Sequence, residues 1–232
     1  IDLSTTNVAQ DLTLRGILAV GSSGTLTIQR TAGSGTIIAG SSTAPAGFEL
    51  VIAGPQDVNI LAPISSGTLT KTGTGTLILS GTNTYTGGTN LNGGTLALGS
   101  SGALAASGTI DLVGGTLRFS VANTTDYSNR FNNGLARIYH IDTNGQTVTF
   151  ASNLTSSGGM LIKDGAGTLT LSGIGSTYTG VTNINDGTLR LNGTHTGGGT
   201  YTVSGGATLE GVGSTASTVA VGSSSYIAPG NG

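Results

Sequence analysis

Two stretches decide the fold: LTKTGTGTLILSGTNTYTGGTNLNGGTLAL at residues 69–98 and LIKDGAGTLTLSGIGSTYTGVTNINDGTLRL at 161–191. With one extra residue allowed before Thr177, 20 of 30 aligned positions are identical, among them Lys71 with Lys163, Tyr85 with Tyr178 and Asn90 with Asn183. Each stretch contains the triplet Gly-Thr-Leu twice, followed by an apolar residue two places on: Leu77 and Leu79, Leu96 and Leu98, Leu169 and Leu171, Leu189 and Leu191. The same signature gives Leu26 and Ile28 near the start and Leu117 and Phe119 in the middle. Successive Thr positions lie 19 to 21 residues apart within the two blocks, at 76, 95 and 116 and again at 168, 188 and 208.

Side chains alternate across a strand, so the two apolar residues of each signature face the same way. A recurrence every ~20 residues stacks those faces rung on rung, as in a solenoid. The reading is an all-β, right-handed parallel β-helix with an inner ladder of Leu77, Leu79, Leu96, Leu98, Leu117, Phe119, Leu169, Leu171, Leu189 and Leu191. Gly opens each strand and permits corner conformations that other residues resist. Thr, β-branched, suits the outward strand positions. Tyr85 and Tyr178 recur at equivalent corners; the expectation is a ring packed on the next rung with its hydroxyl at the rim, against a less favoured role as a sugar-stacking platform.

Composition narrows the function. Gly, Thr and Ser account for 106 of 232 residues, charged residues for 8%, and the net charge is −2. Eight scattered Lys and Arg do not make the basic stripe that nucleic acid requires. The absence of Cys excludes disulfides and thiolate metal sites. No apolar run approaches the ~20 residues of a membrane-spanning helix. The chain starts at Ile1 and reads as a mature or trimmed product. Such a Cys-free, weakly charged chain suggests export from a bacterial cell.

The chain divides into irregular N-terminal rungs (1–66), a first repeat block (67–119), a distinctive insert (120–153), a second block (154–199) and degenerate C-terminal rungs (200–232), all within a single solenoid. Pro45, Pro55 and Pro63 bracket the apolar run that begins at Phe48 and belong at corners, because proline lacks a ladder donor. Asn144-Gly145, between two alternating runs, marks a tight turn whose flanking strands pair as a hairpin or within rungs.

The long unit, G-x-G-T-L-x-L-S-G-x-x-x-Y-T-G-x-T-x-x-x-x-G-T-L-x-L, resembles the autotransporter-associated β-strand repeat of passenger regions in bacterial surface proteins. Two full copies cover about a quarter of the chain, and the segment 200–232, with Ala228-Pro229-Gly230-Asn231, is similar to the end rungs of such passengers. The resemblance implies a right-handed β-helix displayed outside the cell. It also implies a C-terminal membrane barrel, which these residues do not supply; the barrel is removed or export follows another route.

Chemistry is sparse. His140 and His195 are 55 residues apart and read as structural, since catalysis requires a base within hydrogen-bond reach of its partner. Asp164 and Asp186 replace Thr72 and Gly93 of the first copy and read as solvated residues. Neither an EF-hand spacing nor a phosphate loop occurs, and no cofactor or metal is implied. Sequons start at Asn123, Asn153 and Asn192. The expectation is a non-enzymatic stalk, fibre or coat subunit that self-associates through solenoid ends or faces. The alternative is an adhesin that meets glycans or a host surface through the insert, with Tyr127, Arg130, Tyr139 and His140 as the candidate surface. A polysaccharide-active β-helix ranks third, for want of a carboxylate cluster.

Overall fold

A computed structural model describes residues 49–230 except Gln56, together with the backbone of the strands Leu12–Leu14, Leu18–Ala19, Thr25–Ile28, Ile37–Ala39 and Ser42–Thr43. Pro45 and Phe48, assigned above to a corner and to the start of an apolar run, lie outside the described residues. The chain is a parallel β-solenoid with rungs of about 20 residues. It divides into two compact units, Ile1–Leu117 and Arg118–Gly232. Among the described residues the only helical turn is Ser128–Arg130.

In the first unit, Thr25–Ile28, Glu49–Ile52, Thr68–Lys71, Thr89–Leu91 and Ile110–Leu112 pair in parallel to form one face. Val58–Ile60, Thr76–Leu79 and Thr95–Leu98 form another. Registers match like with like, as in Leu77 beside Leu96 and Leu79 beside Leu98. Leu77, Leu79, Leu96, Leu98 and Leu117 have no exposed surface. Pro55 and Pro63 lie between strands, where a missing N–H breaks no ladder bond.

In the second unit, Ile138–Asp142, Met160–Asp164, Thr182–Ile184, Tyr201–Val203 and Val219–Val221 form one face. Thr147–Phe150, Thr168–Leu171, Thr188–Leu191, Thr208–Gly211 and Tyr226–Pro229 form another. Val148, Leu169, Leu189 and Leu209 make one inner column; Phe150, Leu171 and Leu191 make the next. Each fully buried side chain of this size contributes about 1.5–3 kcal/mol.

Ile138–Asp142 and Thr147–Phe150 are ordinary rung strands, because Tyr139, Ile141, Val148 and Phe150 extend the inner columns. They do not pair with each other, so Asn144-Gly145 makes a corner and not a hairpin. The turn itself is tight: Gln146 N donates to Thr143 O at 2.9 Å, and Asn144 and Gly145 take φ values of 48° and 80°. Two positive φ angles in sequence define a type I′ turn, which Asn-Gly adopts at least cost.

Candidate interaction surface

The two repeat copies place their signature polar residues inside the rungs. Lys71 occupies an inner column with Ile52, Leu91 and Leu112; Lys163 occupies one with Ile141, Ile184 and Val203. Both are buried. Their long stems follow the apolar column and their ammonium groups reach the corner carbonyls. Lys163 Nζ donates to the carbonyls of Gly165 at 2.6 Å, Asp164 at 3.0 Å and Asp186 at 3.0 Å. Lys71 Nζ donates to Gly73 O and, at 3.5 Å, to Gly93 O. Each lysine thus ties its own corner to that of the next rung. Burial lowers both pKa values to about 8, opposed by Asp57 for Lys71 and by Asp186, Asp142 and Asp164 for Lys163.

Tyr85 and Tyr178 also lie wholly inside, which corrects the rim expected for their hydroxyls. Tyr85 Oη is 2.7 Å from Thr89 Oγ1, and Tyr178 Oη is 2.5 Å from Thr182 Oγ1. Thr89 and Thr182 are themselves buried, so Thr serves the interior as well as the surface. A buried hydroxyl needs a partner, and the Tyr–Thr pair four residues apart supplies both.

The extra residue of the second copy falls earlier than the sequence alignment places it. Asn83 Oδ1 accepts Ile64 N at 2.7 Å, and Ser176 Oγ accepts Leu154 N at 3.1 Å in the same corner role. Ser176 is therefore the counterpart of Asn83, and the added length lies in Ile174-Gly175, with Ile174 exposed.

Within the second unit, the segment 120–137 docks on residues 151–155 through side chains that replace backbone acceptors. Asp126 Oδ2 accepts Ala151 N at 2.8 Å, Ser128 Oγ accepts Ser152 N at 3.0 Å, and Asn133 Oδ1 accepts Thr155 N at 3.0 Å. Phe131 meets Phe150 edge-on, with centroids 5.2 Å apart, and approaches Tyr139 at 6.1 Å. This corrects half of the candidate surface. Tyr127 is buried, its hydroxyl 2.9 Å from Asn123 Nδ2, and Tyr139 is buried, its hydroxyl donating to Asn133 Oδ1 at 2.5 Å. Arg130 and His140 are both half-buried. Val121 and Leu135 stand out from this segment at 88% and 75% exposure. Of the three sequon asparagines, Asn123 is buried, whereas Asn153 and Asn192 are exposed.

On the outer side, His140 Nε2 lies 2.6 Å from Asp164 Oδ2, and Asn185 Nδ2 donates to Asp164 Oδ1 at 2.8 Å. Arg118 Nε donates to Asp142 Oδ2 at 2.7 Å. His195 lies inside, stacked on Tyr178 at 4.0 Å. Its Nε2 faces the Tyr178 carbonyl at 2.8 Å, an acceptor, so Nε2 carries the proton; Nδ1 accepts from the Tyr201 hydroxyl at 2.9 Å. Burial lowers the His195 pKa and raises those of Tyr178 and Tyr201. Among the described residues no group of three or more His, Asp and Glu side chains is placed to hold a metal ion. No helix among them is long and apolar enough to cross a membrane.

A family model described as the passenger-associated-transport-repeat matches the chain at residues 69–98 and 161–191, the same two stretches that carry the lysine clamps and the Tyr–Thr pairs. The chain therefore carries two repeats of passenger type. No curated protein and no solved structure matched the chain.

Proposed function

We propose that the chain is a non-enzymatic, passenger-type β-solenoid of an exported bacterial surface protein, with a structural role as a self-associating stalk, fibre or coat subunit. The two passenger-type repeats carry this reading, because each builds complete rungs of the solenoid. The lysine clamps and Tyr–Thr pairs serve the rungs themselves, which is what a scaffold requires. Two measurements test the proposal. Protease shaving of intact cells should remove the chain while cytoplasmic markers survive; full protection overturns the surface assignment. Sedimentation and electron microscopy of purified protein should show assemblies that grow with concentration; monomers at every concentration overturn self-association.

A second reading, an adhesin, is favoured by Val121 and Leu135, exposed on the segment 120–137, which departs from the repeat. Val121→Ser with Leu135→Ser should then abolish attachment to glycans or host cells without changing the thermal transition.

A further inference from the structure

The two repeat copies differ where the fold leaves them free to differ. On the outer side of the second unit, Met160, Ile162 and Val181 alternate with the inward-facing Leu161, Lys163 and Thr182. The register sets Met160 beside Ile138, and Ile162 between His140 and Asn183. The first copy carries Thr68, Thr70 and Gly88 at the equivalent positions. There Thr70 Oγ1 donates to Glu49 Oε1 at 2.6 Å and accepts from Asn90 Nδ2 at 3.2 Å, so the outer row is a polar chain. In the second copy Ile162 removes the middle of that chain. The rung needs none of these apolar groups, yet four of them meet on neighbouring strands of a surface otherwise rich in Thr and Asn. An apolar centre within a polar rim is the anatomy of a protein interface.

Charge identifies the occupant. Arg137 immediately precedes Ile138–Asp142, whereas Asp142 and Asp164, which meet Arg118 and His140 within the chain, close adjacent strands at the opposite edge of the patch, where two carboxylates stand against one arginine. A two-fold axis along the stacking direction of the rungs sets this face against its own copy with the strands antiparallel. Arg137 of each chain then faces the Asp142 and Asp164 edge of the other, and Ile162, near mid-strand, approaches its own counterpart. A two-fold contact of this kind is self-complementary.

We propose that the face formed by Ile138, Met160, Ile162 and Val181 is a lateral, two-fold interface with a second copy of this chain. The proposal rests on the self-association reading above and names its surface. The wild-type chain should form a two-chain species in sedimentation velocity. Met160→Thr with Ile162→Thr and Val181→Thr, which gives the first two positions the threonines of the first copy and makes the third polar, should weaken its dissociation constant at least tenfold. The chain has no cysteine, so Ile162→Cys alone should give a disulfide-linked dimer on mild oxidation. Thr149→Cys, exposed on the other face of the same unit, should not. If the wild type associates but the triple variant associates equally, or Thr149→Cys links as readily as Ile162→Cys, this face is wrong and self-association stands. If the wild type is monomeric throughout and Ile162→Cys does not link, both proposals fall.

Discussion

Lys163 Nζ donates to the carbonyl of Gly165 at 2.6 Å, two residues ahead on its own chain, while its stem fills a column of Ile and Val. The folded pKa is lowered from 10.5 to about 8, so between those values the unfolded chain holds a proton that the folded chain lacks. Stability contributed by this group therefore rises as pH climbs from about 8 to about 10.5. Lys163→Met should flatten that rise in thermal unfolding scans. At pH 7 it should also cost about 1–3 kcal/mol, because the corner carbonyls lose a charged donor. An unchanged pH profile in the variant contradicts the burial that lowers this pKa.

The same sign holds for His195 in a more acidic window. Its folded pKa lies below 6.5, so as pH falls through 6.5 toward the folded value the unfolded state takes up a proton first. The stability tied to neutral His195 is complete above 6.5 and declines on acidification. His195→Asn, compared with wild type by urea unfolding from pH 7.5 to 5, should show a shallower decline.

The hydroxyl pair Tyr178–Thr182 lends itself to a double-mutant cycle. Tyr178→Phe leaves Thr182 Oγ1 without this partner in a buried setting and should cost about 1–3 kcal/mol. Adding Thr182→Val removes the hydroxyl that lost this partner and should recover part of that loss. Strict additivity in chemical denaturation excludes the coupling. The same experiment at Tyr85 and Thr89 should give a similar result, since the geometry repeats.

Position along the stack should govern the cost of a cavity. Leu189 is fully buried between Leu169 and Leu209, whereas Leu209 is 7% exposed. Leu189→Ala should cost roughly 2–5 kcal/mol, and Leu209→Ala less, because its site relaxes more readily. Equal losses in calorimetry argue against a graded core.

The solenoid was legible because Gly-Thr-Leu-x-Leu recurs with a fixed period and period-2 alternation leaves one choice of inner face. The corner roles were not. Lys71 and Lys163 stand out in the self-alignment, but nothing in a sequence says that a cation will lie in an apolar column and bend back to a carbonyl. Tyr127 and Tyr139 were misplaced because rings in a non-repetitive segment look like surface. Alternation within Ile138–Asp142 held the better signal: Tyr139 and Ile141 share a side, and His140 takes the other. The outer patch was equally open to a direct comparison of the copies, where Thr68, Thr70 and Gly88 become Met160, Ile162 and Val181.

The parallel ladder of the second unit has a mechanical consequence. Its inter-rung hydrogen bonds point along the stacking direction, so a pull along that direction loads the terminal rung while the others bear little. Rupture then proceeds as peeling, each rung giving way in turn at modest force. Every rung released pays out about 20 residues, roughly 70 Å of chain. Such an element yields gradually under tension, extending many times its folded rise before the anchorage behind it feels the full load.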